Sequence, residues 1–157
     1  MGAGMKNTFD GIEPLMHKSQ ISVPYHWWAG ETASRFFVEL RDNTKIMGTR
    51  CDGCGKTFVP PRKTCPVCFT ENTKWVECGP AGTVTSFTVV RKQQAALKHK
   101  VPVIFALVLL DGADTSLLHR LDEVSPEDVK IGMKVEASFN ETRDANMTAI
   151  AYFKPAS

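Results

Sequence analysis

The stretch Cys51-Asp52-Gly53-Cys54-Gly55, answered across ten intervening residues by Cys65-Pro66-Val67-Cys68, decides the fold of this chain. Each CxxC pair presents two sulfurs from one tight turn, and a loop of this length brings the two turns face to face around a single tetrahedral Zn2+. A site closed by four thiolates leaves no position for water or substrate, so the metal expected at Cys51, Cys54, Cys65 and Cys68 is structural. The loop is shorter than in most two-pair zinc sites, which points to a compact ribbon of the rubredoxin kind. Gly55 reaches positive φ easily after the first pair, whereas Phe69 stands at the matching place after the second and is expected to strain it. Paired cysteines also serve as redox centres or disulfides, and both readings stay open. A redox CxxC, however, is normally single and set in a βαβ unit, and no such setting surrounds either pair.

Charge bears on the same residues. The formal net charge of +2 counts every cysteine as neutral, and zinc binding, which makes four thiolates and adds a divalent cation, brings the chain to neutrality. Arg50, Lys56, Arg62 and Lys63 crowd the cysteines, and their expected work is to offset the negative site rather than to hold nucleic acid. A chain of 157 residues has room for one domain or two small ones sharing a core. Its start carries neither the apolar run of a signal peptide nor a myristoylation pattern, and its most apolar stretch, 101–110, is too short to span a bilayer. With thiols set out as metal ligands, the expected compartment is the cytoplasm, with no membrane partner.

Around the cysteines the chain divides into an arm and helix at 1–44, a ribbon at 45–80 and a barrel at 81–157. Residues 1–24 are broken by Gly4, Gly11, Pro14 and Pro24; Ile12, Leu15, Met16, Ile21 and Val23 follow no regular period there. Such a segment is either an extended arm lying on a partner or on its own domain, or a terminus without fixed structure. Over 27–40 the apolar positions 33, 36, 37 and 40 make the stripe of an amphipathic helix, unusually aromatic with Trp27, Trp28, Phe36 and Phe37. Covering the chain's own ribbon is the commoner use of such a stripe, and docking a partner is the other. Strands are expected at 45–50 and 74–78, and Gly79-Pro80-Ala81-Gly82 marks a turn. Five further strands, at 83–90, 103–110, 116–121, 134–139 and 147–153, suggest a small barrel. Between the third and fourth, 125–132 reads as a short helix, with Ser125 as N-cap, Pro126 in its first turn, Asp128 completing a capping box and Gly132 past its end. Three strands, a helix and two strands is the order of an OB-fold, so the class is mainly β with a small helical part.

Nucleophilic catalysis needs a thiol or hydroxyl beside a base, and Cys78 is the one thiol outside the two pairs. Glu77, His99 and His119 are the candidate bases, and no spacing sets any of them against Cys78, which reads as a packed apolar side chain. His17 and His26 are expected to face water. No catalytic residue is assigned. Arg91, Lys92, Lys98 and Lys100 bracket the loop between the first two barrel strands, where they would suit the phosphates of coenzyme A or form an ordinary solvated hairpin tip.

Together, Trp27-Trp28-Ala29-Gly30, the two cysteine pairs, Pro60-Pro61-Arg62, Trp75-Val76-Glu77, Gly82-Thr83-Val84 and Ile131-Gly132-Met133-Lys134-Val135 are specific. From about Tyr25 onward the chain resembles the acyl-CoA-associated zinc-ribbon OB-fold proteins, long catalogued as a domain of unknown function. The resemblance implies an N-terminal helical segment, a rubredoxin-like ribbon and a C-terminal OB domain. It also implies a non-catalytic partner of thiolases, hydroxymethylglutaryl-CoA synthase or MaoC-type hydratases and retro-aldolases. The resemblance extends to small thiolase subunits of steroid or anaerobic aromatic degradation, such as that of benzoylsuccinyl-CoA thiolase. The catalytic residues would then sit on a thiolase-like subunit, with acyl-CoA at the interface. The rival class is a nucleic-acid binder, since ribbons and OB barrels both serve that role; Phe87, Phe105, Phe139 and Phe153 are instead expected to be core.

Overall fold

The computed structural model describes residues 11–13, 15–18 and 20–156. The first part of the expected arm, with Gly4, Pro14 and Ser19, and the final Ser157 lie outside the described residues. Helix α1 (Glu31–Asp42) begins four residues later than the apolar stripe suggests. The reason is Gly30, whose φ of 82° and ψ of 162° break the helical path in a region that side chains with a Cβ avoid. Trp27 and Trp28 are consequently outside the helix and exposed, while Phe36 and Leu40 are buried.

After α1 come three short strands, β1 (Met47–Arg50), β2 (Thr57–Phe58) and β3 (Lys74–Glu77), antiparallel with β1 in the centre. Strands β4 (Ala81–Val90), β5 (Val103–Leu110), β6 (Ser116–Leu121), β7 (Lys134–Phe139) and β8 (Ile150–Pro155) form a closed barrel in the order β4-β5-β6-β8-β7. A 3-10 turn, Met147–Ala149, takes the first part of the expected last strand. The pair β6–β8 is parallel and the others antiparallel, which is the OB-fold arrangement.

Alternation along the strands fills the barrel: Ile104, Ala106, Val108 and Leu110 of β5 all turn inward and are buried. Phe36, Leu40, Ile46, Val59 and Cys78 join these residues in one core, so α1 and the ribbon close the side of the barrel. A clasp of hydrogen bonds adds to this seam. Thr57 N–H donates to Asp114 Oδ2 at 2.8 Å, Asp114 N–H donates to the Thr57 carbonyl at 2.9 Å, and Thr115 Oγ1 accepts from Val59 N–H at 2.8 Å. The ribbon edge is therefore paired by the β5–β6 loop and not left open.

The helix expected at 125–132 is a single turn, with Asp128 N–H bonded to the Ser125 carbonyl at 3.0 Å. Two competing interactions explain the difference. The Ser125 hydroxyl donates to Glu127 Oε2 at 2.7 Å, so it does not cap the backbone. Gly132 N–H donates to the Val84 carbonyl at 2.8 Å and Val84 N–H to the Met133 carbonyl at 2.9 Å, which draws the segment into the pairing of β4. A helix of so few residues has too little cooperativity to resist those tertiary bonds.

Candidate metal centre and barrel mouth

The sulfurs of Cys51, Cys54, Cys65 and Cys68 all lie within 4.8 Å of one another. Cys54 Sγ and Cys65 Sγ are 3.7 Å apart, close to the separation of roughly 3.8 Å that tetrahedral Zn–S bonds demand. The two knuckles repeat one geometry. Gly55 N–H donates to the Cys51 carbonyl and Cys51 N–H to the Lys56 carbonyl, each at 2.9 Å; Phe69 N–H to Cys65 and Cys65 N–H to Thr70 match them at 2.9 Å. Both Gly55 (φ 72°) and Phe69 (φ 58°) are left-handed, so the second turn keeps the shape of the first and carries the strain of a non-glycine residue there, about 1–3 kcal/mol.

The sulfurs already sit among donors suited to thiolates. Cys65 Sγ accepts from the N–H groups of Val67 and Cys68, both at 3.4 Å. Before metal binds, the thiol of Cys51 is held down to about 6, chiefly by the Cys54 backbone N–H and then by the Thr70 hydroxyl. Cys68 is pushed up to about 12, first by its hydrogen bond with Cys54 and then by burial. Cys68 thus holds its proton until a cation displaces it, and zinc supplies the charge that keeps all four sulfurs ionised. Of the four cations expected to offset that charge, the Arg50 guanidinium lies over the Gly55 turn and Lys63 pairs with Glu71 at 3.8 Å. Lys74, which the sequence did not single out, pairs with Asp52 of the first knuckle at 2.6 Å. Among the described residues no side-chain cation hydrogen-bonds a cysteine sulfur.

Cys78 is fully buried, its thiol raised first of all by that burial, and it donates to the Val76 carbonyl at 3.9 Å. Glu77 is engaged by Lys45 at 2.8 Å. Among the described residues no histidine or carboxylate hydrogen-bonds this thiol.

Residues 39–73 match the family model described as "ChsH2, rubredoxin-like zinc ribbon domain", and residues 75–140 match "ChsH2, C-terminal OB-fold domain". A DUF35 domain-containing scaffold protein of Pyrococcus furiosus is 30% identical over 111 residues, 71% of this chain and 80% of that protein. The chain belongs to the DUF35 family of zinc-ribbon OB-fold scaffold proteins. It is also similar to a chain in the solved structure of the "Ltp2-ChsH2(DUF35) aldolase", with a TM-score of 0.63 and 26% identity, covering 83% of this chain and 100% of that one. A Thermomonospora curvata protein described as "Probable enoyl-CoA hydratase alpha subunit" is 29% identical over 121 residues; these make up 77% of this chain and 37% of that protein.

In this DUF35 chain a second feature lies at the mouth of the OB barrel. A cavity of about 460 Å3 is lined by His99, Phe105, Leu118, Arg120, Asn140 and Met147, among others. A neighbouring one of about 350 Å3 adds Lys100, Asp122 and Pro126. His99 and Arg120 border both. Of the cationic set named from the sequence, the structure brings Lys100 to a cavity wall, while Arg91 turns to Glu127 at 3.5 Å and Lys92 and Lys98 point into solvent. Arg120 was missed because a lone arginine in an alternating strand gives no signal. Its guanidinium bonds the Asp122 carboxylate and lies 5.0 Å from the Tyr152 ring centroid.

Phe153 is fully buried and Phe87 and Phe139 pack against the core, as their strands suggest. Phe105 differs, since it is only partly buried and lies on the side of β5 that carries Leu107, which makes an exposed cross-strand pair with Leu118. His119 also lines the larger cavity and sits edge-on to Phe153, with ring centroids 5.7 Å apart and Nε2 3.4 Å from the Met147 carbonyl oxygen. Burial, ahead of the neighbouring Arg120 charge, lowers its pKa. The neutral ring is therefore the folded form, and stability present above the ordinary histidine range is lost as pH falls through the depressed value. His119→Leu is expected to flatten the decline in unfolding free energy between about pH 7 and about pH 5; urea titrations at both pH values measure it, and an unchanged decline would contradict it.

Proposed function

We propose that this chain is the non-catalytic accessory subunit of an acyl-CoA-metabolising enzyme. The enzyme is a thiolase that cleaves the carbon–carbon bond of a 3-oxoacyl-CoA in aromatic or steroid degradation, in the cytoplasm. The observation that carries the reading is the chemistry of the five thiols: four converge on one closed site, and the fifth is buried and, among the described residues, hydrogen-bonded to no side-chain base. The protein thus has a metal for shape and no thiol for turnover. Its similarity to a chain of a two-component aldolase and to a subunit named for enoyl-CoA chemistry supports a partner that supplies the catalytic residues. The outer face of β5 and β6 also speaks against nucleic acid. Single-strand binders stack bases on aromatic platforms, whereas the exposed pair here is Leu107 and Leu118.

In the assembled enzyme, Arg91, Lys92, Lys98 and Lys100 contribute to docking the phosphates of the coenzyme A tail at the subunit boundary. The cavity of about 350 Å3 that Lys100 borders is within the size range of small-molecule sites. Two experiments test the two levels. The chain is co-expressed with a candidate thiolase-type catalytic subunit, followed by size-exclusion chromatography and a thiolysis assay omitting each component in turn. Co-migration and loss of activity on omission are expected; a chain that migrates alone beside a fully active partner overturns the accessory role. For the cationic loop, Lys98→Glu with Lys100→Glu is expected to raise the KM for acyl-CoA about tenfold, the worth of one charge-assisted hydrogen bond. An unmoved KM removes these residues from the site.

A further inference from the structure

Residues 20–30 are the least explained part of the described chain. Ile21 is 87% exposed, Val23 66%, Tyr25 77%, Trp27 74% and Trp28 77%, and the segment forms neither helix nor strand. Free apolar side chains of this size are rarely left to solvent in a monomer. Although the arm as a whole has no period, Ile21, Val23, Tyr25 and Trp27 occupy every second position, with Ser22, Pro24 and His26 between them. That is the binary pattern of a strand with one buried face, on a segment that has no strand beside it. Gly30 fixes where the segment leaves α1, since its φ of 82° and ψ of 162° suit glycine almost alone.

We infer that residues 21–27 are a docking strand that lies extended in an apolar groove of the catalytic subunit, with Ile21, Val23, Tyr25 and Trp27 as its inward face; this rests on the accessory role proposed above. Three arguments single out this occupant. The first is area, because the inward aromatic side chains of Tyr25 and Trp27 alone offer on the order of 400 Å2. With Ile21 and Val23 added, the segment approaches the roughly 800 Å2 that one side of a standard interface buries. The second is charge: residues 20–30 contain no Asp, Glu, Lys or Arg, so the receiving surface is apolar and not a charged patch. The third excludes a second copy of this chain. Beyond the arm its exposed large apolar residues are Val38, Val67, Phe69, Leu107, Leu118 and Ile131. Of these only Leu107 and Leu118 are cross-strand neighbours, too small a patch to receive the strand. Pro24 withholds one backbone donor, so side-chain pockets and not a full ladder of hydrogen bonds carry the specificity.

The test uses the full chain and the thiolase-type subunit with which it co-purifies in the experiment above, with affinity measured by titration calorimetry. Tyr25→Ala with Trp27→Ala is expected to weaken binding about 100-fold or more, as loss of two interface anchors does, at unchanged zinc content and melting temperature. A second variant, exchanging Tyr25 and His26 (Y25H/H26Y), keeps the composition and breaks the alternation, and it is expected to weaken binding as well. In the wild type, proteolytic cleavage within 20–30 is expected to slow when the complex forms. Wild-type affinity in both variants overturns the docking strand and leaves the accessory role standing, whereas failure of the wild type to bind overturns the accessory role itself. A wild-type chain that dimerises alone, and that the variants make monomeric, overturns the choice of partner.

Discussion

Cys65→Ser is expected to abolish zinc binding and to unfold the ribbon. Cys65 is fully buried, accepts two backbone N–H groups and stands 3.7 Å from the sulfur of Cys54. The ribbon has little else to hold it. Its own apolar cluster consists of Cys51, Phe58 and Cys65 with Cys54 and Cys68 packed against them, so four of its five members are sulfur ligands. Structural zinc sites contribute roughly 10–16 kcal/mol of apparent binding free energy at neutral pH, and in small ribbons that energy is folding energy. The damage reaches the barrel, because Ile46 and Val59 belong to the shared core and Asp114 and Thr115 are bonded to the ribbon edge. Elemental analysis should find zinc in the wild type and none in the variant, and limited trypsin digestion should cut the variant within 51–74. Cys78→Ala, which empties a buried position outside the site, should keep its zinc. A Cys65→Ser protein that lacks metal and melts with the wild type would contradict the structural role.

The parts legible in the sequence are those where local chemistry and tertiary structure agree. The strands at 103–110, 116–121 and 134–139 have their expected bounds, because runs of β-branched and aliphatic residues ended by turn residues have one good solution against a core. The knuckles are legible for a different reason: four sulfurs at fixed spacing leave one geometry for a tetrahedral ion. Where single-sequence signals failed, a distant bond outweighed a local preference. Ser125, Pro126 and Asp128 spell a helix start, yet Val84 on β4 takes the backbone groups of Gly132 and Met133. Phe69 sits in a left-handed turn that its own preference opposes, since the ion site over-determines the loop. The mouth of the barrel was the least legible, as it joins His99, Arg120, Asn140 and Met147 from separate loops and strands whose closeness follows only from barrel closure.

Barrel closure also sets the second large effect, which is expected at Gly82. This residue pairs with Leu110 on β5 and Val135 on β7, at the seam where the first strand of the barrel meets both neighbours. A Cβ there would lie 2.6 Å from the Leu109 carbonyl oxygen, 2.8 Å from Val108 Cγ1 and 3.0 Å from Leu110 Cα. Two of those three atoms are backbone, which cannot swing aside as the end of a flexible side chain can. The strands must separate instead, and the hydrogen bonds and packing of Val84, Val108 and Val135, all fully buried, loosen together. Gly82→Val is therefore expected to destabilise the protein by about 3 kcal/mol, the upper part of the range for overfilled interiors. For a chain of this length that lowers the melting temperature by roughly 6–12 °C. In urea the midpoint should fall at an unchanged slope, because the surface exposed on unfolding is the same. Zinc content of the folded fraction should not change, as Gly82 touches no part of the ribbon's sulfur cluster. A Gly82→Val protein as stable as the wild type would mean that β4 and β5 do not approach this closely at the seam.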